Sequence, residues 1–153
     1  MRSNQRAFTL IEILIVLTII GILMGIALPR VGSTRRRLDV HSAKRRVAAS
    51  LGQARALAIE NGRAARFVRS GNTIQVWLDN GGAAPTLISS QDLSSTEGVT
   101  VRSTRDTVPF DPRGLAIGNT GGTTVVVTKG TERDSVCVIG FGKIFSDRCT
   151  LSQ

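Results

Sequence analysis

The chain has 153 residues, a formal net charge of +9, 41% hydrophobic residues, two cysteines and a single histidine. That length accommodates one modest domain with an anchor and excludes two independent cores. No His, Cys, Asp or Glu cluster has metal-ligand spacing, and no Gly-rich loop follows a strand to open a helix as phosphate cradles require. His41 lies among polar helical residues, so neither an enzyme nor a cofactor is expected.

From residue 8 to residue 28 the sequence is apolar apart from Thr9, Glu12 and Thr18. As a helix this run spans about 31 Å at roughly 1.5 Å per residue, which matches a bilayer core. A removable secretory signal fits the charged start (Arg2, Arg6). However, the run is longer than a usual h-region and ends Ala27-Leu28-Pro29-Arg30, with no Ala-x-Ala site. Gly21 and Gly25 form a G-x-x-x-G that permits close helix approach, a motif common enough by chance to carry little weight.

Pro29 ends the run and is expected to kink the helix. Beyond it, Val40, Ala43, Val47, Leu51, Ala54 and Ala58 recur at steps of three or four and draw one apolar stripe. Arg37, Lys44, Arg45 and Arg55 fall off that stripe. Asn61-Gly62 is a stop signal. The expectation is one helix over about residues 8–61, with residues 8–28 in lipid and the basic amphipathic residues 29–62 packed on a domain.

Residues 63–153 change to period two and turn chemistry. Phe67-Val68 and residues 74–78 flank Ser70-Gly71-Asn72 as a hairpin. Further strands are expected at 87–89, 99–102, 123–128 and 135–139, separated by Gly, Pro, Asp and Asn clusters. The polar run 89–96 reads as a loop. The fold class is α+β: a long N-terminal helix, transmembrane in its first half, laid on an antiparallel β-sheet that can split into two.

Charge is unevenly placed. Residues 1–7 hold Arg2 and Arg6, residues 30–69 hold eleven Lys and Arg against Asp39 and Glu60, and residues 70–153 hold seven basic against eight acidic side chains. The basic segment attracts anionic lipid head groups or polyphosphates, or is simply a solvated helix face.

Glu12 stands alone in an otherwise uncharged span, where an ionisable group needs a partner. Cutting after Ala7 would create an amino group on Phe8 at the same depth, able to pair with Glu12 of a neighbouring subunit. The run Phe8-Thr9-Leu10-Ile11-Glu12-Ile13-Leu14-Ile15-Val16, with its basic leader and terminal Pro29, closely resembles the type IV prepilin signature. The resemblance implies removal of residues 1–7 by a membrane-embedded prepilin peptidase, N-methylation of Phe8, and assembly with other pilins on an inner-membrane platform. Ala7 departs from the family's usual Gly before the cut.

The resemblance also implies a single-pass protein of the bacterial inner membrane, with the leader cytoplasmic and residues 63–153 periplasmic. The positive-inside rule alone implies the reverse, since Arg30, Arg35, Arg36 and Arg37 outnumber Arg2 and Arg6. The motif is more specific than the charge count and is preferred. Cys137 and Cys149, an even pair without metal spacing, suggest a disulfide in an oxidising compartment. Two unpaired thiols are the alternative.

Val108-Pro109-Phe110-Asp111-Pro112-Arg113-Gly114-Leu115-Ala116, followed by a Thr/Val strand and residues 138–144, resembles the GspH/FimT group of minor pilins and pseudopilins. Physically, Phe110 can plug the core and Gly114 can turn the chain; Asp111 beside Arg113 reads as a turn and a surface pair. The group implies a subunit at or near the tip of a type II secretion pseudopilus or type IV pilus, aiding initiation of assembly and protein export. One branch binds DNA during uptake through a Gly-Arg-x-Arg. Here the matching Gly142-Lys143-Ile144-Phe145 keeps one basic residue, with Arg148 out of register. Nucleic acid is therefore the second partner class, with Lys143, Arg148, Arg35, Arg36 and Arg37 as candidate contacts.

Overall fold

The computed structural model describes residues 8–146, without the side chains of residues 26–31. The element order is α1 Leu10–Asn61, β1 Ala65–Ser70, β2 Thr73–Leu78, β3 Thr86–Asp92, α2 Leu93–Thr96, β4 Thr100–Ser103, β5 Thr107–Phe110, β6 Thr123–Lys129, β7 Glu132–Val138 and β8 Ile144–Phe145. The chain divides into a unit ending at Arg35 and a second beginning at Arg36.

In the first unit, α1 begins where Thr9 accepts the Glu12 amide through its hydroxyl at 3.3 Å. Apolar side chains from Phe8 to Met24 are largely exposed, Leu10 at 85%. Thr18 satisfies its hydroxyl within the helix by donating to the Leu14 and Ile15 carbonyls. Pro29 lies inside α1, which is helical on both sides of it. Among the described residues no helix is long and apolar enough to cross a membrane. The apolar stretch with described side chains, residues 10–25, covers only about 24 Å at roughly 1.5 Å per residue.

The second unit holds the core. Val40, Ala43, Val47, Leu51, Ala54 and Ala58 are all buried, the stripe expected from their spacing. They meet the inner faces of two four-stranded antiparallel sheets, ordered β3-β2-β1-β5 and β4-β6-β7-β8. Phe67, Ile74, Val76, Val108 and Phe110 face inward from the first sheet, and Val101, Val125, Val127, Val136 and Val138 from the second. The alternation along β1, β2 and β6 is that of a sheet with one buried face. Gly62, at φ 59°, takes the left-handed conformation that stops α1.

Three expectations need correction. Residues 89–96 are not a loop: β3 runs to Asp92, whose carboxylate then caps the short turn α2 by accepting from the Ser94 amide at 2.9 Å. β5 and β8 have no counterpart in the sequence pattern. Pro109 argues against a strand by propensity, yet β5 sits at a sheet edge, where a missing amide is tolerated. Lys44, off the apolar stripe, is only 5% exposed, because its ammonium reaches Asp134 on β7 at 3.0 Å.

Candidate functional site

The N-terminal start of α1 carries the candidate assembly residues. Between residues 7 and 29 the chain supplies no Lys, Arg or His. Glu12 in the first helical turn therefore has no cation of its own segment, although the helix N-terminus favours its negative charge. The Thr9-x-x-Glu12 spacing is that of a capping box, a sequence signal that places both the helix start and the acid. Phe8 is 76% exposed. Ala7 lies outside the described residues, and Pro29 among those without described side chains.

The basic segment is less available than its charge suggests. Arg37 binds Glu132 at 3.2 Å, Arg46 binds Glu97 at 2.5 Å, and Lys44 binds Asp134. Lys129 in turn meets Asp39 of α1 at 2.7 Å and donates to the Glu97 carbonyl. Arg55 donates to the Gly114 carbonyl at 3.1 Å. Arg66 pairs with Asp79 and Arg69 with Asp106. Partners up to ninety-five residues apart in sequence give a linear reading no signal. Arg35 and Arg36 stay exposed, and the Arg36 side chain runs beside the Gly130 turn.

The candidate C-terminal cation Lys143 lies over the Phe145 ring, 4.8 Å from its centre. Arg148 and Cys149 lie outside the described residues. Cys137 is buried on β7, with Sγ 3.5 Å from the Thr124 hydroxyl and Phe145 of β8 opposite it. Within the second unit, Arg37 is engaged by Glu132 and Lys143 by the Phe145 ring.

The loop after β5 is built on Asp111. Its carboxylate accepts from the Leu115 and Arg113 amides, each at 2.9 Å, and from the Arg113 side chain at 2.8 Å. The Leu115 amide, followed by Arg113, holds this acid below its ordinary pKa of 3.8. Asp111 is buried, so the expected turn is present but the acid is an interior anchor. Asp92 is likewise lowered, first by the Ser94 hydroxyl and then by the Ser94 amide. Exposed His41 lies 3.8 Å from Asp134 and 3.1 Å from Arg45. No cluster able to hold a metal occurs among the described residues.

A family model of the prokaryotic N-terminal methylation motif matches residues 2–28, and one of the type II transport protein GspH matches residues 43–142. Two crystal structures of the Pseudomonas aeruginosa type IV minor pilin FimU are similar at 17% identity, with TM-scores of 0.62 and 0.58. The alignments cover 76% and 74% of this chain and 92% and 94% of the FimU chains. No curated protein matches in sequence. At that identity the FimU likeness establishes a shared fold, a long helix packed on antiparallel sheets. The GspH match spans more than half of the chain, which therefore belongs to the GspH family of pseudopilin and pilin subunits, structural proteins and not enzymes.

Proposed function

We propose that this chain is a minor subunit of a type II secretion pseudopilus or type IV pilus, matured by a prepilin peptidase and assembled through α1 near the filament tip. The observation that carries this reading is the exposed, cation-free apolar start of α1 with Glu12 in its first turn. Such a surface needs cover from lipid before assembly and from neighbouring helices afterwards. A new Phe8 amino group on the adjacent subunit supplies the missing partner of Glu12 and sets the axial register. Before assembly the chain sits in the bacterial inner membrane, with the sheet domain in the periplasm and Cys137 bridged to Cys149. A helix anchored over residues 8–28, an inner-membrane platform and anionic lipid complete its surroundings.

The family membership supports this reading, as does the fold it shares with FimU, itself a type IV minor pilin. DNA uptake ranks second, because Arg37, Lys44 and Arg46 of the stem already face acids of the same domain. Co-expression with a prepilin peptidase, followed by intact-mass measurement, is expected to yield a chain beginning at N-methylated Phe8. A chain that keeps residues 1–7 in the presence of active peptidase refutes the reading. Ala7→Gly is expected to preserve or speed the cut.

A further inference from the structure

The outer face of the first sheet carries side chains that the assembly role does not use. Strand register arranges them in two rows: Leu87, Trp77, Arg66 and Pro109 in one, and Ser90, Gln75, Val68 and Thr107 in the next. A register shift between Val76 and Trp77 places Leu87, and not Ile88, opposite the indole. Such bulges re-aim side chains. A groove of about 330 Å³ opens here, lined by Arg66, Val68, Gln75, Trp77, Pro85 and Thr107, a volume within the range of small-molecule sites.

The chemistry of the lining selects a ligand class. The Trp77 indole N–H donates to Gln75 Oε1 at 3.1 Å, so the ring is held and offers a ligand apolar surface only. Around it, the Arg66–Asp79 pair at 3.1 Å presents both donors and acceptors, each partner about 40% exposed (35% and 42%). The Gln75 amide and Thr107 hydroxyl add more of both. The lining has no surplus charge, because its one cation, Arg66, is matched by Asp79. A polyanion such as single-stranded nucleic acid needs uncompensated cations beside its stacking platform. A wholly apolar ligand would displace water from the polar rim and return no hydrogen bonds to it. A ring with an apolar C–H face and a hydroxyl-bearing edge satisfies both parts.

We infer that this groove binds a neutral saccharide, one sugar ring stacked on Trp77 with its hydroxyls on Gln75 and the Arg66–Asp79 pair. The site stands independently of the assembly role. Trp77 is the only tryptophan, so emission from the full chain in a sugar-free zwitterionic detergent reports on the groove. Titration with chitohexaose or cellohexaose is expected to change that emission and saturate. Gln75→Ala and Arg66→Ala each weaken binding about five-fold, the loss of roughly one hydrogen bond, with far-UV circular dichroism unchanged. Trp77→Ala, read by calorimetry, weakens it about ten-fold or more. No saturable response to either glycan at millimolar concentration overturns the inference. So does binding that Gln75→Ala and Arg66→Ala leave intact. Quenching by oligothymidylate or a proline-rich peptide in place of the glycans also overturns it and reassigns the groove.

Discussion

Gly142 and Gly114 meet backbone against backbone beside α1. A Cβ at 142 would collide with the Gly114 carbonyl oxygen, and φ of +73° is a region that L side chains rarely adopt. The same carbonyl accepts from Arg55, so it cannot move without breaking a tie to the helix. Gly142→Ala is therefore expected to destabilise the domain by at least about 2 kcal/mol. Gly121→Ala, with nothing within 4 Å of its Cβ, should change stability by less than about 1 kcal/mol. Denaturant unfolding of the two variants checks the contrast.

Asp111 is the second residue whose effect can be signed. Its folded pKa lies below the ordinary 3.8, so the unfolded chain takes up its proton first as the solution is acidified. The stabilisation is complete above that value and disappears as pH falls through the lower folded pKa. Asp111→Asn should flatten this acid limb of a melting-temperature profile and leave its slope near neutral pH unchanged. An unaltered acid limb in the variant would rule the group out.

At the scale of elements, α1 holds its domain through a stripe rich in alanine. Ala43, Ala54 and Ala58 let the sheets approach closely, while Val47 and Leu51 fill the space between, all at 0% exposure. Leu51→Ala removes a fully buried side chain from the middle of that stripe and should cost about 2–5 kcal/mol. Equilibrium unfolding of the second unit gives the number. The stripe was legible because a helix repeats every 3.6 residues whatever it touches. Strand β5 was not, because its four residues carry a proline and owe their place to the β1 edge. The run 89–96 was misread for a related reason: pairing with β2 extends β3 to Asp92 despite its serines, and the Asp92 cap then turns the chain.

At the scale of the molecule, assembly should depend on the single charge of the apolar run, Glu12. Glu12→Val is expected to be cleaved and inserted as usual but to lose incorporation into filaments, as measured by shearing or crosslinking. Wild-type incorporation would remove the Glu12–Phe8 pairing from the account. The same variant should leave glycan binding unchanged, since Trp77 belongs to the second unit.

Local chemistry in the sequence was enough to determine the helix, its stripe, its stop at Gly62, the first hairpin and the isolated acid of the apolar run. Each follows from a period, a turn residue or a neighbour within a few positions. The tertiary structure alone decided which cations keep an available charge and which strands form two sheets. It also decided that Asp111 is buried and that Arg66, Gln75, Thr107 and Trp77 share one groove. Those outcomes depend on pairs such as Lys44 with Asp134 and Arg37 with Glu132. Their geometry exists only after distant segments have closed on the same core, because an ion pair or a cross-strand neighbour has no preferred separation along the chain.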